Sequence, residues 1–209
     1  MELRKNVSKI ICITLGFIML GMVGIYNLSI IINTNDEEKV EENLVEEFLI
    51  KEINEQPSET ENTTVETPKR QSSTNYSMVI EIPNIGLKKG LCSIGQECNA
   101  VSKNIQIIKE SDMPNVTNGN LILAGHNGNS NVSFFNKLDL MNIGNKINIY
   151  YKGIKYEYKL NNFYDIDKNG KATIYRDYDK TTLVLITCKK NTKDKQVVYI
   201  AYLNNKTKY

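Results

Sequence analysis

From residue 77 to its end the chain has one histidine, His126, and three cysteines, Cys92, Cys98 and Cys188. A thiolate is a strong nucleophile that forms a reactive thioester, and an imidazole gains or loses its proton near neutral pH. A Cys/His pair is therefore suited to acyl transfer, with sulfur attacking a carbonyl carbon and the ring supplying a proton to the leaving group. His126 directly follows the apolar run LILAG at 121–125, and Cys188 directly follows TTLVLIT at 181–187, with the polar run KKNTKDK after it. Each stands where a rigid strand is expected to meet a loop, with Gly125 and Gly128 letting the chain turn around the histidine. Two neighbouring strands would bring ring and sulfur to one rim, and catalysis by Cys188 and His126 is the expectation.

The elements that would hold this pair read as β-structure. Short apolar or alternating runs separated by turn residues recur from residue 78: MVIEI, LILAG, KINIYY, IKYEYKLNNFY, TTLVLIT and VVYIAYL. This pattern predicts an all-β domain, a closed or nearly closed barrel. Helical spacing is confined to short stretches around 99–104 and 133–140, which predict one or two short helices.

The domain is expected to begin near Ser77, because 54–76 is polar, contains Pro57 and Pro68, and cannot bury enough to order itself. Before it, Val40, Leu44, Val45, Phe48, Leu49 and Ile53 recur at three- and four-residue spacing among glutamates. That spacing predicts an amphipathic stalk helix, whose apolar face could also cover the domain as a lid or pair with another copy. Residues 10–32 carry no charge, and a helix rising about 1.5 Å per residue over that length crosses a roughly 30 Å hydrocarbon core. Arg4, Lys5 and Lys9 precede the segment, so the positive-inside rule puts residues 1–9 in the cytoplasm. The expected order is a tail at 1–9, a transmembrane signal-anchor at 10–32, an acidic extracellular stalk at 33–76 and the catalytic domain at 77–209. A cleaved signal peptide fits less well, because the apolar run is long and no Ala-x-Ala-like site closes it.

The formal charge of +2 conceals a division. Residues 36–70 hold 12 Asp/Glu against 4 Lys/Arg, a balance of −8, while 77–209 hold 11 against 19, a balance of +8. A basic domain on an acidic stalk suits a surface rich in anionic polymers or lipids, although many solvated domains carry such a charge with no specific partner, and no nucleic-acid motif accompanies it.

LAGHNG at 123–128 and TLVLITC at 182–188 resemble the two signature segments of sortases, in the same order, histidine before cysteine. The resemblance extends through IEIPNIGL at 80–87 and SFFNKLDLMNIGNKINIYY at 133–151, and covers residues 78–203. It implies an eight-stranded barrel that cleaves the Thr-Gly bond, or its equivalent, of a C-terminal sorting signal on an exported protein. It further implies a thioester on Cys188, resolved by an amine of a peptidoglycan precursor or a pilin lysine at a Gram-positive cell surface. No cofactor is implied.

One departure from the family stands out. Sortases place an arginine on the last strand to steady the oxyanion, and this chain has no arginine after Cys188. Counting back from Ala201 in the family's pattern puts Gln196 at that place, with an amide donor and no charge. Lys195 is adjacent but strand alternation aims it at the other face. Arg176, the only arginine in the domain, is the second candidate. A weakened or inactive sortase-like surface scaffold is thus one alternative. A cell-wall cysteine hydrolase is another, although in the NlpC/P60-like and CHAP-like families the cysteine comes first and opens a helix.

Two further groupings have more than one reading. Cys92 and Cys98 in CSIGQEC can pair as a disulfide outside the cell or serve as two small buried hydrophobes. DIDKNG at 165–170 matches half of a calcium loop, but the twelfth position is Arg176 instead of glutamate and the flanks read as strands. A hairpin turn at Asn169-Gly170 is the better explanation, and no metal site is expected.

Overall fold

The chain alternates strands and turns as the periodicity predicts. The computed structural model describes residues 39, 42–52 and 76–209; the expected tail, transmembrane segment and most of the stalk lie outside the described residues. Among the described residues no helix is long and apolar enough to cross a membrane.

Eight strands form one sheet: β1 (Tyr76–Ile82), β2 (Leu87–Cys92), β3 (Gln106–Ile107), β4 (Asn120–Ala124), β5 (Lys146–Tyr151), β6 (Ile154–Asp167), β7 (Thr182–Cys188) and β8 (Lys195–Lys208). Their spatial order is β2-β1-β5-β6-β8-β7-β4-β3. All neighbours are antiparallel except β4 and β7, which run parallel. The edges β2 and β3 approach one another: Asn104, buried just before β3, donates from Nδ2 to the Gly90 carbonyl of β2 at 2.9 Å. The sheet is a nearly closed barrel.

Alternation along the central strands divides two apolar layers. Leu121 and Leu123 of β4, Leu183 and Leu185 of β7, and Val197, Tyr199 and Ala201 of β8 enter the main core with Phe135 and Leu138. The intervening Ile122, Val184, Ile186, Val198 and Ile200 form a second cluster on the other face, against which Ile108, Ile166 and Ile174 pack. A strand buried on both faces reads as a continuous apolar run, which is why TLVLIT shows no alternation.

The short helices expected inside the barrel take a tighter form. Residues 100–103 are turns, and 133–140 contains only a 3₁₀ turn, Leu138–Leu140. Asn99 still works locally, donating to the Ile107 carbonyl (3.0 Å) and accepting from the Ile107 N–H (2.7 Å). The Asn169-Gly170 pair does not close a hairpin. β6 ends at Asp167, and 168–181 forms a long loop before β7, with Gly170 at φ 81°. Residues 42–52 are helical, as the stalk periodicity predicts. Its last described residue, Glu52, accepts hydrogen bonds from the N–H groups of Lys152 (2.8 Å) and Gly153 (3.1 Å) and from the Tyr209 hydroxyl. These partners lie at the end of the β6–β8 ladder remote from Cys188, so this contact is no lid over the cysteine.

Candidate active site

Both signature segments end at the same rim. The β4–β7 register runs from Asn120 opposite Thr182 to Ala124 opposite Ile186. Continued past the strand end, it sets His126 level with Cys188. The Gly125 N–H extends the ladder to the Ile186 carbonyl (3.1 Å), and Thr187 Oγ1 donates to the Gly125 carbonyl (2.8 Å). His126 is exposed and Cys188 is a half-buried free thiol.

Gly125 is not at positive φ. Its absent side chain matters through space: a Cβ there would lie 2.7 Å from the ring of Phe135, which is fully buried in the main core. Gly125 therefore faces the main core, and alternation turns His126 to the opposite side. Cys188 shares the face of Val184 and Ile186 for the same reason, the face of the second apolar cluster.

Gln196 stands directly across from Cys188, paired with it in the β7–β8 ladder. Cross-strand partners project to one face with Cβ atoms about 4.5–5.5 Å apart. Gln196 and Cys188 thus share the second-cluster side, while Lys195 faces away and pairs with Asp167 at 2.5 Å. That pairing raises the pKa of Lys195, chiefly through the hydrogen bond to Asp167. Arg176 is not brought to this rim. Its Nη1 donates to the Asn118 carbonyl at 3.0 Å and reaches Thr182 Oγ1 at 3.4 Å, at the starting ends of β4 and β7. Six residues of strand, roughly 20 Å, separate Thr182 from Cys188.

The loop after Cys188 is held by ion pairs on both sides: Lys189 with Asp165, and Lys190 with Asp139 at 2.8 Å. The two aspartates of the calcium-like stretch are thus engaged by Lys189 and Lys195. Among the described residues no cluster of three His, Cys, Asp or Glu is arranged to hold a metal ion. Cys92 and Cys98 are joined in a disulfide, with Cα atoms 5.9 Å apart.

The residue that sequence reasoning passed over is Asn127. Its Nδ2 donates to the Cys188 carbonyl at 2.9 Å. It lies within the quoted LAGHNG, yet nothing in the spacing marks it.

These features coincide with a known architecture. The chain belongs to the sortase family, whose domain model matches residues 80–204; the members of that family are cysteine transpeptidases. No curated protein sequence matches the chain. Among solved structures, the Sortase D5 transpeptidase of Clostridium perfringens is 25% identical, with a TM-score of 0.52 over 62% of this chain and 79% of that one. Listeria monocytogenes sortase A is 21% identical, with a TM-score of 0.54 over 64% of this chain and 90% of that one. Sortase C-1 of Actinomyces oris is 16% identical, with a TM-score of 0.56 over 64% of this chain and 76% of that one. The last two share the fold.

Proposed function

We propose that this protein is a membrane-anchored transpeptidase acting outside the cell, in which Cys188 is the nucleophile, His126 the proton carrier and Gln196 a neutral oxyanion donor. The observation that carries the reading is the register: Cys188 lies opposite Gln196 in the β7–β8 ladder, and the end of β4 that leads into His126 pairs with Ile186, two residues before Cys188. The substrate would be the C-terminal sorting signal of an exported protein, with its scissile bond brought to the rim where β7 ends at Cys188. The Cys188 thiolate attacks the scissile carbonyl, and the C–N bond breaks as His126 gives its proton to the leaving amine. An amine of a peptidoglycan precursor or a pilin lysine then attacks the thioester, His126 takes a proton from it, and Cys188 leaves as thiolate. A charged guanidinium is replaced here by an amide, so the oxyanion is steadied by a hydrogen bond without a full positive charge. The uncharged segment 10–32 supports the anchor.

The test is to incubate the protein with a sorting-signal peptide, with and without an amine, and to follow the protein by mass. A thioester on wild type, absent from Cys188→Ala and converted to amide product by the amine, is the expected result. No thioester would make the protein a scaffold. Free acid formed at the same rate with or without amine would make it a hydrolase.

A further inference from the structure

The chain leaves β4 just where the histidine must be placed, and something must keep the two strand ends together as it does so. In a parallel ladder the bonds recur at every second residue. The Gly125 N–H donates to the Ile186 carbonyl, so the next rung would join the Asn127 N–H to the Cys188 carbonyl. The side chain of Asn127 supplies that rung instead, through Nδ2 at 2.9 Å. Beyond it the chain has already turned, with the His126 carbonyl accepting from the Phe135 N–H at 3.0 Å. The amide orientation is set by this contact, since the flipped form would face two acceptors together.

Asn127 Oδ1, in contrast, is buried with no hydrogen-bond partner among the described residues. We propose that Asn127 is a positioning residue, whose carboxamide replaces a missing ladder rung and so sets the spacing of His126 from Cys188. The proposal rests on the reading of those two residues as the reactive pair.

The chain has a single histidine, so full-length protein labelled with ¹⁵N at histidine alone reports the His126 imidazole without assignment. Iodoacetamide is the probe, with Cys188→Ala as the control for alkylation elsewhere. In wild type, alkylating Cys188 is expected to displace the imidazole signal. In Asn127→Asp, which fills the same space but cannot donate, that displacement should fall by half or more. Acylation by a sorting-signal peptide should slow about 10- to 100-fold with little change in KM, the scale of a 1 Å misplacement. Thr187→Val removes a neighbouring, more deeply buried bond and serves to calibrate plain loss of stability; Asn127→Ala is the second variant should the aspartate not fold. An unchanged imidazole response in a folded Asn127 variant would overturn the proposal, and so would the lack of any response in wild type. A normal response with no thioester in wild type would instead defeat the transpeptidase reading and leave the positioning role standing.

Discussion

Cys188 and Gln196 are cross-strand partners at the end of the β7–β8 ladder. This puts a neutral amide beside the thiol, the place of the proposed oxyanion donor. Removing a single oxyanion donor typically slows the chemical step by about 10²–10³-fold. Gln196→Ala is therefore expected to lower the acylation rate constant by about 10²-fold with KM little changed. Gln196→Arg should match or exceed wild type. Single-turnover acylation measures both, and an alanine variant as fast as wild type would remove Gln196 from the site.

Gly125→Ala would push a methyl group to 2.7 Å from the Phe135 ring. Phe135 is fully enclosed, so it has little room to yield. The expected loss of stability is about 1–3 kcal/mol, as for other overpacked cores. The relaxation should also move His126, the next residue. A chemical denaturation curve combined with the acylation rate checks this: a lower rate in the fully folded variant is expected, and unchanged stability would show that Phe135 has space to move.

How far these relationships were legible in the sequence depends on their range. The run TLVLITC announced its own burial and its own end, whereas Gln196 was reached only through the resemblance, by counting back from Ala201 in the family's pattern. Arg176 was beyond such counting. Its place at the starts of β4 and β7 follows from how the loop 168–181 returns to the sheet, which no local pattern encodes. The stretch 133–140 misled for another reason: Phe135 and Leu138, three apart, are both buried, and a 3₁₀ turn satisfies that spacing as well as an α-helix does. Asn127 was invisible because its function lies in replacing a backbone group, and only the register reveals which group is missing.

The disulfide between Cys92 and Cys98 closes a short loop, at a sequence separation of 6. Loop-closure entropy for so small a ring stabilises the fold by about 2 kcal/mol. The Cys92→Ala/Cys98→Ala double variant, or treatment with reductant, should lower Tm by about 4–8 °C for a domain of this size. Calorimetry with and without reductant tests this, and a Tm independent of reductant would count against a stabilising bond.

Tyr199, on β8 three residues past Gln196, has its pKa pushed up to about 12 from 10.0, first by burial and then by the charges of Asp139 and Asp165. The folded state therefore holds the proton more tightly than the unfolded chain does. A raised pKa of this kind contributes stability that is fully present below pH 10 and is lost as pH rises toward 12, an effect on the order of 2 kcal/mol. Denaturation midpoints measured between these pH values should fall in wild type and fall less steeply in Tyr199→Phe. Parallel slopes would mean that Tyr199 is not the group responsible.

The turn between β5 and β6 receives the end of the helix at 42–52. Lys152 and Gly153 both adopt positive φ, 50° and 69°, and join β5 to β6 as a two-residue turn of the type that suits twisted strands. Its two N–H groups point at one carboxylate, that of Glu52, which the Tyr209 hydroxyl also meets. Tyr209 in turn packs edge-on against Tyr150, with ring centroids 5.1 Å apart. Hydrogen bonds to a charged acceptor contribute about 1.5–3 kcal/mol each at most, less where water competes. Glu52→Ala removes the acceptor for all three donors, and Tyr209→Phe removes one. Amide hydrogen exchange over residues 42–52 should accelerate strongly in the first and weakly in the second. Because these contacts sit at the end of β6 and β8 remote from Cys188, the acylation rate should stay at the wild-type value in both. Exchange unchanged in Glu52→Ala would show that the helix is held by its apolar side, where Val45 is buried, and not by this carboxylate.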